Sequence, residues 1–228
     1  MQATMAPPLD QRQPAPALTV DAVVFGVDDG ELKILLIQRG MAPFAGSWAL
    51  PGGFVRLGED LEKAVRRELE SEAGVRPSRL EQVAAYGRPD RDPRQHVVSI
   101  AFAALVRLDQ HSPHAGTNTR LAAWFAVDRL PELAFDHAVI VRDALARLRS
   151  ELGHTPVGID LLPPKFPLRD LQHLHEQISG RSLDKRNFRR SVLDSGLLIE
   201  LDEREPAARH RSARLYSFNR DACSALEH

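Results

Sequence analysis

Residues 52–75 read GGFVRLGEDLEKAVRRELESEAGV, and the acids in this stretch raise the first chemical question. A helical wheel begun at Leu61 gathers Leu61, Ala64, Val65 and Leu69 into one apolar arc, and Glu68 and Glu72 fall inside it. Two carboxylates one turn apart repel one another and lose hydration on such a face unless something positive sits between them. The bland alternative is an amphipathic helix whose glutamates reach out to water. Gly52 and Gly53 favour a ligand, because glycine lets the backbone approach one closely just ahead of a helix N-terminus that attracts phosphate. Glu68 and Glu72 are therefore candidate ligands for a divalent cation such as Mg2+. Ser71 stands where a third acid would serve such a cation. Its hydroxyl is a weak, neutral donor to a hard metal ion, and Glu70, nearly opposite Glu68 on the wheel, cannot replace it.

A second constellation is basic. RSLDKRNFRR, residues 181–190, sets five basic residues against one acid. Helical spacing places Lys185, Arg186, Arg189 and Arg190 on one continuous arc with Asn187 near its edge, while Phe188 and Val192 form an apolar pair that can anchor the helix. In a major groove, Arg reads guanine, Asn reads adenine and Lys meets phosphate. Further on, ARHRSAR offers Arg209, Arg211 and Arg214 to backbone phosphates or the minor groove. A charge run alone is usually a solvated face. This one lies on the second helix of a helix-turn-helix pattern, which favours a double-stranded DNA partner.

The elements that must position these residues follow from periodicity and punctuation. LTVDAVVFGV and ELKILLIQR, turning at Asp28-Asp29-Gly30, read as a β-hairpin. GMAPFAGSWALPGGF is broken by Gly and Pro and reads as loop. A helix over about 59–73 stops at Gly74, HVVSIAFAALVRL and AAWFAV read as strands, and 136–152 as a helix capped by Asp136 with Val141, Leu145, Leu148 and Leu152 on its apolar side. Strands enclosed by helices imply an α/β domain over 18–152. GHTPVGIDLLPPKFP marks a linker, taken as 153–166. Over 167–225, a helix with Leu168, Leu171, Leu174 and Ile178 on one side, a break at Gly180, the basic helix and two strands, LLIEL and ARLYSF, follow the order of a winged helix-turn-helix. Residues 1–17, rich in Pro, Ala and Gln, read as a disordered tail, and 226–228 as a tag scar.

Composition removes several classes. A hydrophobic content of 43% over 228 residues supports packed domains, and the lone Cys223 excludes a disulfide framework or thiolate zinc site, which suits a reducing cytoplasm. No apolar run reaches the length of a membrane span, and no secretory signal pattern opens the chain. His173 and His175 lack further ligands nearby and carry no metal site, while Trp48 and Trp124 are expected in the core.

The motif in residues 53–75 closely resembles the Nudix box, Gx5Ex7REUxEExGU with U a bulky apolar residue. Gly53, Glu59, Arg67, Glu68, Leu69, Glu72, Gly74 and Val75 fit, and only Ser71 departs. SWALPGGF before the box and YGRPDRDPRQHVVSIAF after it resemble the ADP-ribose-directed branch. The resemblance implies an αβα sandwich in which Glu59 is oriented by Arg67 and the acids at the 68, 71 and 72 positions bind metal and activate water. With FPLRDLQHLHEQISGRSLDKRNFRRSVLDSGLL after it, the whole chain resembles the Nudix-related transcriptional regulators of bacterial NAD metabolism. That resemblance implies a homodimeric repressor of NAD biosynthesis or salvage genes, bound to a palindromic operator and released by ADP-ribose. The effector site is expected to involve Arg39, Gly52, Gly53, Glu59, Arg67, Glu68, Arg91, Arg94 and His137. The competing reading is a working ADP-ribose pyrophosphatase with an accessory domain, on the strength of the retained Glu59, Arg67, Glu68 and Glu72.

Overall fold

The computed structural model describes residues 15–28, 31–152, 159, 161–205 and 212–225. β1 (Ala17–Asp28) and β2 (Glu31–Arg39) pair antiparallel over only their adjoining ends, Phe25 with Ile34 through Asp28 with Glu31. Beyond that the two strands part, and two short strands fill the fork: β3 (Trp48–Ala49) on β2 and β4 (Gly52–Phe54) on β1. The stretch expected to be loop therefore contributes to the sheet. Glycine makes this possible, since a Cβ on Gly52 would lie 2.3 Å from the Val20 carbonyl oxygen and 2.6 Å from Asp21 Oδ1. Gly52→Ala is expected to destabilise the fold by roughly 1–3 kcal/mol, the usual cost of overpacking. Thermal unfolding should show a midpoint lowered by several degrees.

α1 (Leu61–Ala73) follows, then β5 (Glu81–Tyr86), β6 (Val97–Leu105) and β7 (Thr119–Ala126), with a short 3-10 turn at Leu108–Gln110. β6 runs parallel to β1, β5 edges β6, and β7 edges β2, giving a seven-stranded mixed sheet. Sequence periodicity missed β5, because EQVAAY neither alternates nor buries a continuous face. α2 (His137–Glu151) covers one sheet face and α1 the other. Alternation along β1 divides the core accordingly: Val23 and Phe25 pack with Ile140, Val141 and Leu148, whereas Val20, Ala22 and Val24 pack with Val65 and Leu69. This is the expected αβα sandwich.

α1 starts later than predicted because Asp60 caps it, its carboxylate accepting from the Glu62 and Lys63 amides. Gly74, at φ 68°, ends it in the left-handed region as expected. At α2 the prediction fails in an informative way. Asp136 sits at the cap position but makes no capping bond, because its carboxylate is held by Arg91.

The C-terminal part contains β8 (Phe166–Pro167), α3 (Leu168–Ser179), α4 (Lys185–Asp194), β9 (Leu198–Arg204), β10 (Arg214–Phe218) and α5 (Arg220–Ala225). β8, β10 and β9 form a three-stranded antiparallel sheet beside the helix-turn-helix. α3 buries Leu171, Leu174 and Ile178 as its spacing predicted, and they join the same buried cluster as Leu148 and Ala144 of α2. The expected linker also enters that cluster through Leu161 and Phe166. Its prolines conceal two anchoring apolar residues. Most of the expected N-terminal tail and all of 226–228 lie outside the described residues.

Candidate functional site

The fork between β1 and β2 opens a cleft of about 450 Å³, walled on one side by α1. Glu68 and Glu72 both line it. Gly53 admits Glu68, whose Oε1 would lie 2.5 Å from a Cβ placed there. Glu72 Oε2 accepts from the Gly52 amide at 2.9 Å. Burial, reinforced by the charge of Glu68, pushes the Glu72 carboxyl up to about 7.

Arg67 organises this wall. Its Nε and Nη2 each donate to Glu59 at 2.7 Å, Nη2 reaches the Phe54 carbonyl at 3.1 Å, and Nη1 donates to Glu68. Glu59 also accepts from the Arg56 amide, and the Arg67 bonds above all hold its carboxyl down at about 2. Arg67 thus fixes the loop ahead of α1 to the acid wall, in the orienting arrangement that the box resemblance implies.

Ser71 does not line the cleft. Its hydroxyl donates to the Glu68 carbonyl at 3.3 Å, and its own carbonyl accepts from Thr117 N at 3.0 Å. Residues 114–119 close over this end of α1, and a Cβ on Gly116 would lie 1.8 Å from the Ser71 oxygen. Glu70 points away and pairs with Arg76. Among the described residues, no three His, Cys, Asp or Glu side chains gather as a metal-binding group.

The raised Glu72 carboxyl gives a prediction with a definite sign. Because the folded value lies above the unfolded one, the stabilisation is fully present below about 4.5 and is lost as pH rises through about 7. The full ionisation cost is about 3 kcal/mol, taking 1.4 kcal/mol for each unit. Glu72→Gln should therefore leave the thermal midpoint near its wild-type value at pH 4.5 and raise it above wild type at pH 8. An equal difference at both pH values would contradict the assignment.

The same cleft is lined by two arginines seated on aromatic rings. Arg39 stands 4.8 Å over Phe135 and donates through Nε to the Pro43 carbonyl; Arg94 stands 5.3 Å over Phe54 and binds Asp92 through Nε and Nη2. Burial, then repulsion from Arg94, lowers the pKa of Arg39. Two guanidiniums brought together in one cleft suit a ligand with several negative charges.

Two other predicted contacts spend their polar atoms inside the protein. Arg91, with 4% of its side chain exposed, binds Asp136 and reaches Asp21. His137 accepts the Leu50 amide at Nδ1 and lies 3.5 Å from Asp21 through Nε2, with burial lowering its pKa. Both border the cleft as braces. Asp21, which also accepts from Ser99 Oγ at 2.5 Å, is the hub that sequence reading passed over. Its signal was an acid inside an otherwise apolar strand, LTVDAVV. Trp48 packs edge-on against Phe125, while the buried Nε1 of Trp124 has no hydrogen-bond partner among the described residues.

On α4, Lys185, Arg186, Asn187, Arg189 and Arg190 are all exposed. Asp184 caps the helix through the Asn187 amide, and Phe188 and Val192 pack inward, Phe188 against His175. Among the described residues, none of the four basic side chains has an acidic partner. Arg189 reaches Tyr216 Oη at 3.5 Å, and Arg190 reaches Asn187 Oδ1 at 3.3 Å. Arg214 differs from its predicted companions, being paired across the ribbon with Glu200. Arg209 and Arg211 lie outside the described residues.

A sandwich with an acid-walled cleft, carrying a helix-turn-helix and a small antiparallel sheet, defines a Nudix fold joined to a winged helix. Residues 16–148 match the NUDIX domain family, and residues 158–218 the NrtR DNA-binding winged helix domain. The chain belongs to the NrtR family of Nudix proteins. The ADPR responsive transcriptional repressor NtrR of Acinetobacter baylyi is 40% identical over 215 residues, which cover 90% of this chain and 83% of that protein. Shewanella oneidensis NrtR, solved complexed with a 27mer DNA, matches at TM-score 0.78 and 34% identity over 91% of this chain and 95% of its own. The NUDIX domain of the same Shewanella protein, complexed with ADP ribose, matches at TM-score 0.56 and 36% identity over 61% of this chain and 92% of its own. Among the described residues, no helix is long and apolar enough to cross a membrane.

Proposed function

We propose that this chain is a DNA-binding transcriptional repressor of NAD biosynthesis or salvage genes, released from its operator by ADP-ribose. One observation carries the reading: an exposed basic face on the second helix of a winged helix, without acidic partners among the described residues, stands in the same molecule as a nucleotide-sized cleft lined by two arginines. The Shewanella relative solved with DNA, and its NUDIX domain solved with ADP ribose, support it. Residues 18–152 sense the effector and 167–225 bind DNA. Arg39 and Arg94 hold the pyrophosphate, with Gly52, Gly53, Glu59, Arg67 and Glu68 shaping the wall and Arg91 and His137 bracing the floor. Lys185, Arg186, Asn187, Arg189 and Arg190 enter the major groove, and Arg209, Arg211 and Arg214 serve backbone phosphates or the minor groove. A cytoplasmic homodimer presents two such helices to the half-sites of a palindrome. A promoter fragment from an NAD gene should be retained with sequence selectivity at moderate salt; equal retention of a scrambled fragment would remove the claim.

A second reading concerns hydrolysis. Glu68 and Glu72 fit one hard cation, since magnesium is often held by one or two carboxylates with substrate phosphates completing its shell. That ion would neutralise charge on a phosphoanhydride. With Ser71 turned to the backbone the acid wall is one ligand short, so turnover is slow and DNA binding needs no metal. Phosphate release coupled to ADP-ribose cleavage in Mg2+ should be low for the wild type, and Ser71→Glu should raise it on the order of tenfold or more, as one added carboxylate at a catalytic cation. Rapid wild-type turnover unaffected by Ser71→Glu would favour a working pyrophosphatase.

A further inference from the structure

Two elements touch both halves of the molecule: β2, which ends at Arg39 in the cleft and also meets α3, and α2, which carries a specific side-chain joint at each end. α2 begins at the cleft floor with His137 and runs about 22 Å, at 1.5 Å for each of its 15 residues, to the first helix of the helix-turn-helix. Each end has a specific joint. At the cleft end, Arg91 donates to Asp136 through Nε at 3.0 Å and Nη2 at 2.7 Å. Asp136 makes no capping bond to its own helix, so the start of α2 is held by the segment that carries Arg91. That same segment, residues 87–96, places Asp92 and Arg94 in the cleft and continues directly from β5. β5 in turn lies along α2, with Tyr86 Oη donating to Asp143 at 3.2 Å and Arg147 Nη1 donating to the Gln82 carbonyl at 2.7 Å.

At the far end, Arg149 Nε donates to the Ile178 carbonyl at 2.9 Å. The guanidinium lies against the C-terminus of α3, with Nη2 3.8 Å from where a Cβ of Gly180 would stand. A helix leaves its last carbonyls unsatisfied and carries partial negative charge there, so a cation donating to one of them is a directional joint. Ala144 and Leu148 of α2 share a buried cluster with Leu171, Leu174 and Ile178 of α3, which makes the contact a packed one. From α3 the turn into the basic helix is fixed by Glu176, which accepts the Leu183 amide at 2.8 Å, and by Gln172, which donates to the Leu183 carbonyl at 3.1 Å.

We infer that α2 is the lever by which a ligand in the cleft resets the helix-turn-helix, with Arg91–Asp136 as its joint at the cleft and Arg149–Ile178 as its joint at α3. Arg149 neither lines the cleft nor lies on the basic helix, and is a positioning residue. The inference rests on the repressor reading above. Packed contacts alone define a route, and coupling must be measured. Linkage supplies the measurement: if ADP-ribose weakens DNA binding by some factor, DNA weakens ADP-ribose binding by the same factor.

The test determines all four affinities, ADP-ribose with and without operator DNA and operator with and without ADP-ribose, for the full chain, Arg149→Met and Arg149→Lys. Wild type should show a coupling of about tenfold or more, equal in both directions, within the usual range for such effects. Arg149→Met should keep each separate affinity within about threefold while its coupling falls toward one, and Arg149→Lys, retaining a donor and the charge, should recover part of it. A wild type without coupling overturns the repressor reading itself. A coupled wild type with an equally coupled Arg149→Met overturns the lever, as does a folded Arg149→Met that has lost DNA binding outright. If Arg149→Met does not fold, Asp136→Asn reads the other joint by the same cycle, with loss of coupling expected and unchanged coupling overturning the lever.

Discussion

Replacing Arg189 and Arg190 together with alanine is expected to abolish operator binding while leaving ADP-ribose affinity and thermal stability at wild-type values. Both side chains are exposed and neither has an acidic partner among the described residues, so their removal opens no cavity and strands no buried charge. Each is expected to supply one base or phosphate contact worth roughly 1–3 kcal/mol, so the pair amounts to roughly 2–6 kcal/mol, an affinity loss of about thirtyfold to ten-thousandfold. Fluorescence anisotropy on a labelled operator reads this directly. A residue on phosphate also contributes to the salt dependence, and its loss should flatten the slope by about one for each contact. Arg214→Ala should cost much less, because Arg214 already spends its charge on Glu200.

The second large effect is expected at Arg39. Its Nε is committed to the Pro43 carbonyl and its face to Phe135, which fixes the plane of the guanidinium and presents its terminal nitrogens to the cleft. Hydrogen bonds to a charged group contribute about 1.5–3 kcal/mol each. Arg39→Ala should therefore weaken ADP-ribose binding by about tenfold to a hundredfold in calorimetric titration, by the same principle. DNA affinity should stay unchanged, so operator complexes of the variant survive ADP-ribose concentrations that dissociate the wild type. Arg39→Lys should restore only part of the response, since a flexible ammonium lacks the planar fork. An unaltered ADP-ribose affinity for Arg39→Ala would show that the pyrophosphate lies elsewhere.

Much of this arrangement was legible because local rules and tertiary packing agree. Leu171, Leu174 and Ile178 are buried where helical spacing puts them, and Lys185, Arg186, Arg189 and Arg190 are exposed where their charge puts them. Glu68 and Glu72 face the cleft despite the cost of burying acids, which is why their place in an apolar arc was informative. The failures are equally physical. β3 and β4 are too short and too rich in Gly and Pro to carry a strand signal, and their pairing depends on a fork between two distant strands. Asp136 follows a sound capping rule, yet Arg91, 45 residues away, outcompetes the helix amides for its carboxylate. Arg91 and His137 were recognisable as polar residues near the cleft. That they brace it from within depends on Asp21, whose contacts with them cross 70 residues or more of sequence.

A ligand in the β1–β2 fork is expected to control the grip of α4 on DNA. Titrating ADP-ribose into the preformed complex of the full chain with a labelled operator, and following anisotropy at constant salt without divalent metal, tests this most directly. Dissociation is expected as ADP-ribose saturates the cleft, with AMP and ribose 5-phosphate producing no comparable release. Saturable ADP-ribose binding that leaves anisotropy unchanged would contradict it.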